Sequence, residues 1–307
     1  MYKICVLMTC YNPPKYILEQ VDSVLNQKGV IVDLVIRDDC STKAEWLDRI
    51  PCNDRITILH GDVNVGVAHN IIELVNYVYN YKNGYDYYAY CDQDDVWLED
   101  KLIRGIDILK TMDLDKPCLY YSNLTVVDEN LVGDRLLLRS NVVNNTLGQG
   151  LAQIFAFACT FIFNRRMLEA IRVRDIEFMG FDHLVYYIAL LTGESYFDEK
   201  SYILYRQHGN NVSGDKSKGI SQVIKKAIGL FREKEDRARA GGGSFEQISE
   251  YLLRTFDGEI SEEDTALLQL VSNYKKNKCK LLRCSKIRAG YMPKDAYRAI
   301  RILLNRY

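Results

Sequence analysis

Up to about residue 110, two patterns of apolar and polar positions alternate. Ile4-Cys5-Val6-Leu7-Met8-Thr9 is an unbroken apolar run, which predicts a strand covered on both faces. It ends in Tyr11-Asn12-Pro13-Pro14, a turn with proline where a helix begins. Ile17, Leu18, Val21, Val24 and Leu25 then recur at helical spacing. A second buried strand runs from Val30 to Ile36 and a third from Ile56 to Leu59. Val67, Ile71, Ile72, Val75 and Val78 line one face of a helix. Tyr87 to Cys91 forms a fourth strand, followed by a helix from about Glu99 to Lys110.

Strands alternating with helices imply a parallel, doubly wound sheet with helices on both faces. Each strand ends in polar residues, near 9–12, 38–42, 61–70 and 92–95. In such sheets ligands bind at the carboxyl ends of the strands, so these four clusters are expected to converge in one crevice. Leu119 to Val127 and Ile154 to Phe163 read as further strands, Asp182 to Leu191 as a helix, and Ser195 to Arg206 as one or two short strands. Beyond Gly214 the pattern becomes charged and amphipathic, with helices expected at 220–235, 245–255 and 262–274 and a breaker at Gly241-Gly242-Gly243. This places a domain over residues 1–215 and a helical extension over 216–307.

Charge changes this picture at one place. Lys plus Arg number 40 and Asp plus Glu 41, a net of −1, which argues against a nucleic-acid binder. The balance is uneven, however. From Lys275 to Tyr307 stand 11 basic residues and one acid, Asp295, leaving a strongly acidic body. Such a tail points to a polyanion partner. The nine cysteines are scattered without a Cys-x-x-Cys pair, as expected of reduced thiols in a cytoplasmic protein. No secretory signal pattern opens the chain, and no apolar stretch reaches membrane-spanning length.

The chemistry concentrates in the acidic strand ends. Asp92-Gln93-Asp94-Asp95 sets three carboxylates on one turn, where mutual repulsion favours a bound cation such as Mg²⁺ or Mn²⁺. The plain alternative is a solvated turn with Asp95 capping the next helix. Asp38-Asp39-Cys40-Ser41-Thr42 offers carboxylates to a nucleobase or ribose, or else a cap from Ser41 or Thr42. Thr9-Cys10-Tyr11-Asn12 adds an aromatic face and an amide. Asn64-Val65-Gly66-Val67-Ala68-His69-Asn70 permits close backbone approach to phosphate at a helix start. No Gly-x-Gly-x-x-Gly, P-loop or Gly-x-Ser-x-Gly pattern is present, which argues against a dehydrogenase, a P-loop ATPase and an α/β-hydrolase.

In order and spacing these segments resemble the family 2 glycosyltransferases, which have the GT-A nucleotide-diphospho-sugar transferase fold. Phe181-Asp182-His183 and Tyr205-Arg206-Gln207-His208-Gly209-Asn210-Asn211-Val212-Ser213-Gly214 look like the bacterial rhamnosyltransferase-like branch. The resemblance covers roughly residues 3–214. It implies an inverting, metal-dependent transfer from a nucleotide sugar, dTDP-L-rhamnose by branch and a UDP-hexose as the alternative. The acceptor would be a hydroxyl of a cell-surface or lipid-linked glycan. By the same resemblance Tyr11 and Asp39 contact the nucleobase, with Thr9, Asn12 and Asp38 nearby and Asn64, Gly66, Asn70 and Gln93 on the nucleotide sugar. Asp94 binds the metal, Asp92 the ribose or metal, and His208 lies near diphosphate and metal. Asp95 supports the site or touches the sugar, Asp182 is the catalytic base, and Trp97 and His183 face the acceptor. Here Phe precedes Asp182 where the branch often has His, which leaves His183 open as an alternative base. A two-metal phosphoryl-transfer enzyme and a non-catalytic sugar-nucleotide-binding protein are the rival readings.

The basic tail also carries Leu281, Leu282, Ile287, Ile300, Ile302, Leu303 and Leu304. Basic and apolar residues on short helices read as a peripheral contact with an anionic membrane surface. A helix packed on the protein itself, or a homodimer contact, is the alternative.

Overall fold

A computed structural model of the chain describes residues 1–43, 45–174, 176, 179–208 and 243–307. The helix expected at 220–235, the domain boundary near 214–219 and the motif residues after His208 lie outside the described residues. Two compact units are present. Unit 1 comprises Met1–Arg139, Ala156–Arg174 and 193–208; unit 2 comprises Ser140–Phe155, the described part of 175–192, and 243–307.

Unit 1 is built on one sheet. β1 (Tyr2–Cys10), β2 (Val30–Asp38), β3 (Ile56–His60) and β4 (Tyr87–Cys91) pair in parallel in the order β3-β2-β1-β4. The register Met8↔Ile36, Met8↔Cys91 and Asp38↔His60 brings the strand ends level. Ile4 to Met8 are fully buried, as an interior strand covered on both faces requires. Alternation divides them. Ile4, Val6 and Met8 join a core with Ile17, Val21 and Val24 of α1 (Ile17–Leu25) and Leu102, Ile106 and Leu109 of α3 (Lys101–Leu109). α2 (Val67–Tyr81) packs on β1 and β2 and against α5 (Arg165–Arg172).

The other half of the sheet is mixed. β8 (Ile162–Phe163) runs antiparallel to β4 and to β6 (Cys118–Val127); β9 (Glu194–Arg206) runs parallel to β6 and antiparallel to β5 (Val96–Trp97). β7 (Arg135–Leu136) pairs with the end of β6. Gly105 of α3 lets the helix approach this half closely: a Cβ there would meet Ile162 at 2.4 Å and Tyr120 at 2.9 Å. The strand expected over 154–163 is mostly absent. Phe155, Ala156, Cys159 and Phe161 to Phe163 are buried, but Phe157 to Phe161 turn through bonds from Thr160 N–H to Phe157 O and from Phe161 N–H to Ala158 O, leaving two residues for pairing.

Unit 2 is helical: α4 (Leu147–Gly150), α6 (Phe181–Thr192), α7 (Phe245–Thr255), α8 (Glu262–Ser272), α9 (Lys278–Arg283) and α10 (Met292–Leu303). α7 opens with a capping box of Ser244 and Gln247, and α8 with Ser261 capping Asp264 N–H. Segments far apart in sequence share its interior. Gln149 Nε2 donates to Ala289 O at 3.3 Å, Tyr187 Oη to Gly150 O at 3.1 Å, and Tyr307 Oη to Leu151 O. Residues 140–155 and 175–192 therefore group with the helical region expected to begin at 216. Within the tail, Leu281, Ile287 and Ile302 are fully buried, while Lys275 pairs with Glu246 and Lys286 with Glu263, both 2.6 Å.

Candidate functional site

In unit 1 the four polar strand ends do converge, and hydrogen bonds tie them together. Asp39 N–H donates to Cys10 O and Gly61 N–H to Asp38 O, both at 2.8 Å. Asn12, at φ 42°, accepts at Oδ1 from Thr42 N–H and Oγ1 and from Lys43 N–H, which pins the β2 loop to the β1 loop. Its own N–H donates to Ser41 Oγ. Asp38 accepts from the N–H and Oγ of Ser41. Gln93 brackets the backbone of Tyr11, accepting from its N–H at 3.1 Å and donating to its carbonyl at 3.5 Å. Tyr11 is 45% exposed, leaving its aromatic side chain accessible beside the crevice.

Asp39 is buried, and its carboxylate accepts from Val65 N–H at 3.0 Å and Gly66 N–H at 2.9 Å. Asn64 Nδ2 donates to Asp39 O at 3.1 Å. Gly66 takes φ 81° at the start of α2, a backbone setting that favours glycine. The carboxylate thus shapes the loop that enters α2, a role not legible in the sequence. Asn70 is likewise buried, bound to Arg37 through both ends of its amide.

The acidic turn after β4 is held from several sides. Tyr90 Oη lies 2.8 Å from Thr9 Oγ1 and donates to Asp92 at 3.2 Å. Burial raises the Tyr90 phenol well above its usual range, so it remains a neutral donor. His208 Nε2 lies 2.8 Å from Asp94 Oδ2. Arg206 donates its backbone N–H to Asp95 Oδ1 at 3.0 Å, Nε to Asp94 O at 2.9 Å, and Nη2 to Glu19 at 2.6 Å. Its guanidinium lies 4.1 Å from the Tyr16 ring centroid, and Tyr16 in turn lies 5.5 Å from the His208 ring. Only 1% of the Arg206 residue is exposed, so it is a fixed internal strut rather than a mobile surface charge. Nothing beyond its place in the Tyr205-Arg206-Gln207-His208 segment marked it beforehand.

Asp95 is fully buried, and its Oδ2 has no hydrogen-bond partner among the described residues. Burial, then Asp94 and Asp92, raises its carboxyl well above the usual range, against the pull of Arg206. Among the described residues, donor atoms of Asp92, Asp95 and Cys159 lie within 4.8 Å of one another. This differs from the expected set of Asp92, Asp94 and His208. Burial also raises the Cys159 thiol, with Asp92 and Asp95 adding to the effect, so Cys159 is a neutral neighbour and a poor ligand for a hard cation. Asp92, Asp94 and His208 are less buried, and Asp94 is in contact with His208. Carboxylate oxygens of this kind suit a hard divalent ion.

Trp97, expected at the acceptor, is 3% exposed and packs in the core beneath the Lys101 ammonium, 3.6 Å from the ring centroid. Its indole is therefore a core group rather than an open face. Asp182 and His183 stand in the first turn of α6, in unit 2, where Asp182 Oδ1 accepts from His183 N–H at 2.9 Å. No helix among the described residues is long and apolar enough to cross a membrane.

Residues 5–172 match the family described as Glycosyl transferase family 2. A dTDP-rhamnosyl transferase, RfbG of Shigella flexneri, is 31% identical over 74% of this chain and 80% of its own length. A UDP-Glc:alpha-D-GlcNAc-diphosphoundecaprenol beta-1,3-glucosyltransferase, WfgD of Escherichia coli, is 24% identical over 48% of this chain and 55% of its own. Among solved structures, S. aureus TarS 1-349 in complex with UDP-GlcNAc aligns with a TM-score of 0.54 at 15% identity, over 98% of this chain and 90% of that one. At that identity the likeness speaks for the fold alone.

Proposed function

The chain belongs to glycosyl transferase family 2, and from that premise we propose that it transfers L-rhamnose from dTDP-L-rhamnose to a hydroxyl of a cell-surface or lipid-linked glycan, with inversion. The observation that carries the reading is the joined set of strand ends in unit 1. An exposed tyrosine, two supported aspartate loops and an acidic turn paired to a histidine lie at the carboxyl ends of the parallel strands of one mixed sheet. The likeness to the Shigella rhamnosyl transferase supports the sugar; the Escherichia coli relative keeps a UDP-hexose as the alternative.

The acceptor oxygen attacks the anomeric carbon as the bond from that carbon to the diphosphate oxygen breaks. Asp182 takes the hydroxyl proton, as a carboxylate within hydrogen-bond reach can. Tyr11 offers its ring to the base. Asp38 and Asp39 hold the loops around it, and Asp95 and Arg206 fix the acidic turn. Asp92, Asp94 and His208 would hold Mg²⁺ or Mn²⁺, which when bound offsets the charge gained by the departing diphosphate.

A thermal-shift screen of nucleotide sugars, with and without Mn²⁺, tests the donor. A larger metal-dependent shift with dTDP-L-rhamnose than with UDP-glucose supports the proposal, and the reverse order replaces the sugar. In the tail, Lys276, Lys280, Arg283 and Arg288 are exposed and would face an anionic surface. Charge reversal at these four, rather than truncation, tests that contact, because truncation would also remove buried Leu281 and Ile302. Unchanged binding to anionic liposomes would exclude it.

A further inference from the structure

Unit 2 contains a cavity of about 150 Å³ whose wall includes His183, Lys294, Arg298 and Arg301 and no acidic residue. Cavities of this scale admit a guest the size of benzene. Arg298 is 2% exposed, and its Nε has no hydrogen-bond partner among the described residues. The nearby acid, Asp295, lies 3.7 Å from that nitrogen and accepts from Ala289 N–H at 2.9 Å. His183 Nδ1 is also buried without a hydrogen-bond partner among the described residues. Arg301 is held in place: its Nε donates to Arg306 O at 2.8 Å, and its guanidinium lies 5.3 Å from the Phe245 ring and 5.8 Å from the Tyr307 ring.

Three basic side chains line one small space, and Asp295 lies beside Arg298. Buried donors left unmatched are costly, and a multiply charged oxyanion would satisfy them. A guanidinium fork suits phosphate in particular.

We infer that this cavity binds a phosphate group, whether free or carried on a lipid. The residues proposed for the donor, by contrast, all stand in unit 1.

The test is calorimetric titration of the full chain in excess EDTA, which silences metal-dependent binding at the acidic turn. The probes are inorganic pyrophosphate, a short polyprenyl diphosphate and glucuronate. Both diphosphates should bind. Lys294→Gln and Arg301→Gln should each weaken them about tenfold, the scale of one lost charged hydrogen bond. Arg301→Lys, which keeps the charge, should retain most of the affinity. Tighter binding of the polyprenyl compound marks a lipid-linked phosphate, and equal binding marks a free one; both support the shared chemistry. No heat with either diphosphate, wild-type affinity in both glutamine variants, or glucuronate binding as tightly as pyrophosphate would overturn the inference. A failed glycosyltransferase reading shows itself separately, as absent metal-linked donor binding in the wild type.

Discussion

His208 Nε2 and Asp94 Oδ2 lie 2.8 Å apart, although 114 residues separate them in the chain. The contact joins the turn after β4 to the end of β9, and it gives one half-buried carboxylate of the acidic turn an imidazole neighbour. His208→Ala is expected to leave the fold intact and to weaken Mn²⁺ binding about 10- to 100-fold, as loss of a metal-site neighbour commonly does. Titration of Mn²⁺ followed by electron paramagnetic resonance measures this directly. An unaltered Mn²⁺ affinity would remove His208 from the site.

Asp39→Asn tests the loop that enters α2. An amide nitrogen would face one of the two backbone N–H groups now bound by the carboxylate. One lost charged hydrogen bond and one exposed conflict should cost about 1–3 kcal/mol. A lower Tm together with weaker donor binding is expected. Weaker donor binding at an unchanged Tm would instead make Asp39 a direct ligand of the base.

Asp182→Asn should abolish transfer of radiolabelled sugar to the acceptor while donor affinity stays within twofold of the wild type, roughly the experimental scatter around 0.4 kcal/mol. Retained turnover would move the base to another residue, with His183 next to be replaced.

Lys101 gives a pH dependence with a definite sign. It is fully buried, its Nζ has no hydrogen-bond partner among the described residues, and burial pushes its pKa down to about 7 from 10.5, opposed in part by Cys159, Cys91 and Asp95. Between these two values the unfolded chain binds more protons than the folded one, so stability rises with pH across that window. Below pH 7 the full penalty of burying the ammonium applies. Lys101→Met should raise Tm at pH 6 and flatten the rise seen between pH 7 and 10. Parallel Tm curves for the two proteins would show that the ammonium is not desolvated.

Strands β1, β2 and β4 were legible because an interior parallel strand is largely apolar on both faces, as Ile4 to Met8 and Tyr87 to Cys91 are; β3, at the edge, showed only as the short run Ile56 to Leu59. The convergence of their polar ends followed from topology. The apolar run at 154–163 misled for the same reason: burial of Phe155, Cys159 and Phe161 looks alike whether the backbone is paired or turning. Spacing alone could not show that the Asp39 carboxylate faces the amides of Val65 and Gly66, nor that Trp97 lies inward beneath Lys101. Both depend on contacts 26 or more residues away, or on how a side chain packs. Arg206 was hidden likewise, since its partners Glu19 and Asp94 stand 187 and 112 residues earlier in the chain.

The central claim is that the acidic turn binds the donor through a metal. Calorimetric titration of dTDP-L-rhamnose into the wild type and into Asp94→Ala, each with Mn²⁺ and with EDTA, tests it most directly. Binding should require Mn²⁺ in the wild type and fall at least about tenfold, or 1.4 kcal/mol, in the variant. Equal Mn²⁺-dependent affinity in both proteins would contradict the account.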